Sequence, residues 1–225
     1  RIFAGSVRNP WEWYLSLWSY GCGNRGTLYS RLSRPLKLQI REAKFKQIPA
    51  AATGALLSLL ARNFQDWERV YQDVDDVGAF REWLYMIYDR KYRYDLGEGW
   101  SISSIHNFAG LLTYRYIKLF CLKSEDSMNS DIRTISQLQA YEAEHCFVKF
   151  FIRNESLVPD LFKLLDTIGV FVSEQKKREV LQLPRTNTSS RQKKLAQYYD
   201  QSTVNLVSNQ EKLIVEKFEY CPPAI

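Results

Sequence analysis

The sequence has no apolar run of about 18 residues, so no segment reads as a membrane span. Its four cysteines, Cys22, Cys121, Cys146 and Cys221, lie far apart and without metal-ligand spacing. A disulfide among them stays open. Cys146, at the head of an apolar run, reads as a small core residue. Histidine is scarce: His106 and His145 are the only two. There is no Gly-x-x-x-x-Gly-Lys-Ser/Thr stretch, so no Walker-type phosphate loop lies in the chain. The acidic stretch Asp73 to Gly78 lacks the spacing and closing Glu of a Ca²⁺ loop. No internal repeat, heptad seam or low-complexity tract stands out.

What remains is the composition of a folded domain. The 225 residues are 45% hydrophobic and 25% charged, with a mean hydropathy of −0.35. That is enough chain for one domain with a substantial core. The net charge of +6 permits an anionic partner, whether nucleotide, sulfated sugar or nucleic acid, without choosing among them. The chain opens on Arg1, directly in an apolar run, and is expected to be a fragment or a processed chain.

The first twenty residues organise the rest. Ile2 to Val7 is a nearly continuous apolar run, the pattern of a strand buried on both faces. Asn9 and Pro10 then signal a helix start, one as cap and one as first helical residue. Behind them Trp11, Tyr14, Leu15 and Trp18 form an apolar stripe at helical spacing. The unit reads strand, tight turn, helix. Arg8 falls at the carboxyl end of the strand, where open α/β sheets bind ligands. Ser16 follows inside the helix and tilts back towards it. A guanidinium fork with a hydroxyl suits a phosphate. The plain alternative is an Arg paired with a carboxylate and a Ser on a helix face.

The segment Val7-Arg8-Asn9-Pro10-Trp11-Glu12-Trp13-Tyr14-Leu15-Ser16-Leu17-Trp18 resembles the 3′-phosphate-binding segment of PAPS-dependent sulfotransferases. PAPS, 3′-phosphoadenosine 5′-phosphosulfate, is the sulfuryl donor of that family. The resemblance assigns Arg8 and Ser16 to the donor's 3′-phosphate. Two later stretches resemble the same family. Phe150-Phe151-Ile152-Arg153-Asn154-Glu155-Ser156-Leu157 with Asp160-Leu161 is similar to its late strand-to-helix segment. Asn187-Thr188-Ser189, then Tyr198-Tyr199-Asp200 and a closing helix near Phe218-Glu219-Tyr220, is similar to its nucleotide-covering segment. By that resemblance Asn187, Ser189 and Arg191 are candidate donor contacts. The helix around Trp83-Leu84, then Phe108 to Thr113, resembles the middle of bacterial-type members, less specifically.

The family's phosphosulfate loop has no match in the chain. The resemblance therefore implies the C-terminal part of such an enzyme, with its catalytic base upstream. His106 is a weak candidate for that base; a helix-capping or surface role is the alternative. The implied reaction moves a sulfuryl group from PAPS to an acceptor hydroxyl or amine on a carbohydrate, releasing 3′,5′-adenosine bisphosphate, with no metal and no nucleic-acid partner. The implied compartment is the cytoplasm for a bacterial-type member, or the Golgi lumen if an anchor precedes the chain. The competing reading is a non-enzymatic domain binding nucleic acid or sulfated glycan through charge. A P-loop nucleotide kinase relative would need a Walker-type loop and a Walker-B Asp, and neither is present.

The rest of the chain is read more plainly. Gly21 to Thr27 is a helix end and turn needing positive φ, since it follows a helix rather than a strand. Arg31, Arg34, Lys37, Arg41, Lys44 and Lys46 make a basic segment, read as a solvated face or an acceptor-side surface. Leu56 to Leu60 reads as helix, as do Asn63 to Tyr71 and, capped by Asp76, Ala79 to Tyr88. Cys146 to Arg153 reads as a second strand, followed by a helix started by Pro159 and stopped by Gly169. Glu155 reads as a loop-fixing acceptor of backbone amides. The fold class expected is α/β: a P-loop-like central parallel sheet flanked by helices, truncated at the N-terminus. In it, residues 1–23 form the 3′-phosphate unit, 24–145 a largely helical insertion, and 146–225 the late strand, flap and closing helix.

Overall fold

The computed structural model describes residues 2–33, 64–97, 99–124, 132–184 and 190–225. The basic segment beyond Ser33, the Leu56 to Leu60 run, and Asn187 and Ser189 lie outside those residues.

The described chain is mostly helical with one small parallel sheet. In order it runs β1 (Ala4–Val7), α1 (Pro10–Cys22), α2 (Thr27–Ser33), α3 (Phe64–Arg69), α4 (Val77–Tyr88) and the short α5 (Arg93–Leu96). Two 3₁₀ turns, Trp100–Ile102 and Ser104–Asn107, lead to α6 (Leu111–Phe120) and α7 (Ile135–His145). Then come β2 (Phe150–Arg153), α8 (Leu157–Thr167), α9 (Glu174–Leu181), α10 (Leu195–Tyr198), α11 (Gln201–Gln210) and α12 (Lys212–Phe218).

The sheet is smaller than the sequence suggests. Among the described residues it has two strands, β1 and β2, paired in parallel from Ala4 opposite Phe150 to Val7 opposite Arg153. The expected strand from Cys146 shortens to Phe150–Arg153, because Cys146 still accepts the role of helix end, its N–H bonded to Glu142 O. Most apolar residues here recur at helical rather than alternating spacing, so helices build the core. The described residues thus form a mainly helical α/β body with a small two-stranded parallel sheet, and a larger central sheet flanked on both faces is not seen among them.

Local signals set the first unit. The Asn9 side chain accepts from Trp11 N at 3.0 Å and Glu12 N at 3.3 Å, and Pro10 occupies the first turn. The α1 stripe then packs inwards: Trp11, Tyr14, Leu15 and Trp18 are fully buried. Trp18 meets Phe80 of α4 at 5.3 Å and Tyr198 of α10 at 6.0 Å. Indole N–H groups in this core find acceptors: Trp18 on Val70 O at 2.7 Å, Trp83 on Tyr71 Oη at 2.6 Å, Trp67 on Asp95 at 2.8 Å. Asp76 caps α4 through Ala79 N at 3.0 Å. After α1, positive φ falls on Asn24 and Gly26, not on Gly23. Pro159 sits inside the first turn of α8, and Gly169, at φ +75°, ends it.

The closing helix is broken in two. Between α11 and α12, Glu211 turns a buried carboxylate onto the start of α6. It accepts from Leu112 N at 3.2 Å, Thr113 N at 2.8 Å, Thr113 Oγ1 at 2.7 Å, Tyr88 Oη at 3.3 Å and the Tyr14 hydroxyl. The cap residue of α6, Gly110, offers no side chain, so Glu211 caps that helix from another one. A Cβ at Gly110 would stand 2.0 Å from Glu211 Oε1, so only glycine admits this approach. Burial raises the Glu211 pKa above the ordinary carboxylate range, against the pull of the Tyr14 hydroxyl and the Thr113 and Leu112 donors.

Candidate functional site

The carboxyl ends of both strands open on one cavity of about 360 Å³. Its wall includes Ser6 within β1 and Arg8 just after it, Asn154 after β2, and Arg115, Tyr116 and Phe120 from α6. Parallel strands present their ligand-facing loops at this end. Arg115 also stacks over the Trp13 ring at 5.2 Å.

Arg8 projects along α1. Its Nη2 meets Glu12 Oε2 at 3.4 Å, the carboxylate pairing that the plain reading expected. Its Nε is buried with no hydrogen-bond partner among the described residues. A buried guanidinium N–H left unmade is costly, so this atom is an unfilled donor at the cavity's edge. Ser16 stands one turn beyond Glu12 on the same helix face. Its hydroxyl makes no hydrogen bond among the described residues, while its carbonyl accepts from Ser19 Oγ at 3.3 Å.

Arg191 arrives from the far end of the chain. Its Nη2 lies 3.6 Å from the same Glu12 Oε2. Arg8 and Arg191 thus converge on one half-buried carboxylate, with Ser16 a turn away. Of the sequence-predicted contacts, Arg8 and Arg191 meet on Glu12, while Ser16 shares only the helix face, one turn beyond that carboxylate. Asn187 and Ser189 lie outside the described residues.

The segment carrying Arg191 is held by residues that nothing in the sequence marks for that role. Asp75 accepts from Gln192 N at 2.9 Å, Lys193 N at 3.4 Å and Tyr198 Oη at 3.1 Å. The Gln192 amide foremost, helped by the Tyr198 hydroxyl and the Lys193 amide and opposed by burial, lowers its pKa below the ordinary value. Arg81 donates to Tyr198 O at 2.9 Å and Tyr199 O at 3.0 Å, and pairs with Asp200 at 3.2 Å. Tyr199 Oη donates to Trp11 O at 2.9 Å. An acidic run followed by a helix cap was visible in the sequence. Nothing local marked Asp75 as the anchor of a segment more than a hundred residues away.

The Arg8 turn is fixed from the second strand. Glu155 Oε1 accepts from Asn9 N at 2.6 Å, and Asn9 Nδ2 donates to Cys221 O at 3.4 Å. This is the amide-accepting role the sequence suggested for Glu155.

His106 lies away from this cluster, in a 3₁₀ turn beside a smaller cavity of about 110 Å³. Ser103 O, 2.5 Å from Nδ1, can only accept, and Arg93 Nη1, 2.7 Å from Nε2, can only donate. The ring is therefore held as the Nδ1–H tautomer with its lone pair engaged, which suits a structural role rather than proton abstraction. Among the described residues, no cluster of three or more His, Cys, Asp or Glu is arranged to hold a metal ion, and no helix is long and apolar enough to cross a membrane. No protein-family model, no curated protein and no solved structure matches the chain.

Proposed function

We propose that this chain holds the 3′-phosphate end of a PAPS-like nucleotide as part of a sulfotransferase with a P-loop-like core. The observation that carries the reading is the meeting of Arg8 and Arg191 on Glu12. Two guanidiniums brought together from opposite ends of the chain make a dianion-sized positive site, and the partnerless Arg8 Nε supplies one more donor. A phosphate there takes the place of the Glu12 carboxylate as their acceptor and comes within a turn of the Ser16 hydroxyl.

In this reading the chain's own residues bind and orient. Arg8, Ser16 and Arg191 fix the nucleotide through its 3′-phosphate, which aligns the donor's sulfuryl group for in-line transfer. PAPS supplies that group, and the acceptor is a hydroxyl or amine, with a carbohydrate as the proposed class. The open cavity beside Arg8, walled by Trp13, Tyr116 and Phe120, offers ring faces and a cation for a sugar.

The test is calorimetric titration with 3′,5′-adenosine bisphosphate and 5′-AMP. The bisphosphate is expected to bind at least tenfold tighter. Arg8→Ala is expected to erase that preference, since a charge-assisted hydrogen bond contributes about 1.5–3 kcal/mol. Arg191→Ala is expected to weaken it. Equal, salt-sensitive binding of both nucleotides would replace this reading with a generic anion-binding domain.

A further inference from the structure

Two of the four cysteines, distant in sequence, face each other in the fold. Cys121 follows the last residue of α6 and Cys146 the last residue of α7. They form an isolated antiparallel bridge. Leu122 N donates to His145 O at 3.0 Å, and Phe147 N donates to Phe120 O at 3.1 Å. These bonds flank the cysteine pair instead of joining its two residues. Cys121 and Cys146 therefore occupy a non-hydrogen-bonded position of an antiparallel ladder. There the two Cα atoms stand about 4.5 Å apart with both side chains on one face. A cystine requires a Cα separation of about 4.4–6.8 Å. The backbone already meets that requirement.

The two thiols differ in access. Cys121 is buried; that burial, then the neighbouring Cys146 and Glu142 of α7, against the pull of Lys217 of α12, pushes its pKa up to about 12. Cys146 is half-buried, with Tyr116 Oη 3.7 Å from its sulfur. Cys22 and Cys221 are free as well, but neither lies in a bridge with another cysteine.

We propose that Cys121 and Cys146 are a reversible cystine site, closed by a low-molecular-weight disulfide such as oxidised glutathione. The more accessible Cys146 thiolate attacks one sulfur of that disulfide. The disulfide's S–S bond breaks, one small thiolate leaves, and a mixed disulfide forms on Cys146. The Cys121 thiolate then attacks the Cys146 sulfur and expels the second small thiolate. Two protein thiols are oxidised, one small disulfide is reduced to two thiols, and two protons pass to solvent or to those thiolates. The second step is the slower and quickens as pH rises, because Cys121 resists ionisation. The bond ties the end of α6 to the end of α7. Arg115, Tyr116 and Phe120, which wall the larger cavity, sit on the last two turns of α6, so oxidation stiffens that wall.

The test oxidises the full chain with oxidised glutathione, acid-quenches it, and maps it by mass spectrometry beside a free-thiol count. The expected result is a loss of two thiols and a linked pair of peptides joining Cys121 to Cys146. A rise in Tm of several degrees, reversed by dithiothreitol, should accompany it. Cys146→Ser should abolish the link and the Tm rise, and a Cys22→Ser/Cys221→Ser double variant should keep both. A glutathione adduct at Cys146 that never advances to the internal bond, even at alkaline pH, would overturn the proposal. So would links to Cys22 or Cys221, or an oxidised form that melts below the reduced one.

Discussion

Both strands of the sheet end on a similar short phrase, and the fold treats the two differently. Val7-Arg8-Asn9 leaves β1 and enters α1; Ile152-Arg153-Asn154 leaves β2 and, through a 3₁₀ turn, enters α8. Val7 and Arg153 are even paired in the sheet. Yet α1 is sunk in the core and α8 has no buried residue. Arg8 lies in the cavity with an unfilled donor, while Arg153 is exposed and stacks over Tyr220 at 5.6 Å. An apolar stripe and an Arg at a strand end therefore state what a segment is able to do. What packs against it decides whether that capacity is used.

The comparison is open to direct attack. The largest expected effect is in the α1 stripe: Trp18→Ala should cost about 3–5 kcal/mol, and Leu164→Ala in α8 under about 1, read from denaturant midpoints. Equal losses would mean that α8 is as well packed as α1. Next is the carboxylate joining the closing helices to the body. Glu211→Ala strands several buried donors and should cost about 3 kcal/mol, measured the same way. The helix starts give a smaller contrast. Asn9→Ala removes an acceptor for two backbone amides and should cost about 1 kcal/mol. Ser156→Ala, at the start of α8, should cost less, because Ser156 makes no side-chain cap and only donates to Asp160.

The last effect is in pH. Burial opposes ionisation of Asp200, but the Thr203 hydroxyl and amide, Ser202 and Arg81 hold its pKa down at about 2. A depressed carboxylate contributes stability above its unfolded value and loses it as pH falls through the folded one. Stability should therefore decline between about pH 4 and pH 2, and Asp200→Asn should flatten that part of the profile. An unchanged acid limb in the variant would show that the loss arises elsewhere.

The sequence by itself determined the local pieces. Asn9, Pro10 and the Trp11–Trp18 stripe define α1, Asp76 starts α4, and Gly169 ends α8, because each signal acts over a few residues through a cap, a ring or a helical period. Glu155 as an amide acceptor was legible for the same reason. Only the tertiary structure decided which pieces meet. Nothing local pairs Ala4 with Phe150, sends Arg191 to Glu12, seats residues 192–193 on Asp75, or sets Cys121 against Cys146. Glu211 is the clearest instance. In sequence it is one more charge in a continuous closing helix. In the fold it stands at the one-residue break between α11 and α12, its N–H still bonded to Val207 O and its carbonyl accepting from Val215 N, and its carboxylate gathers five donors from α1, α4 and α6 that would otherwise be buried unpaired.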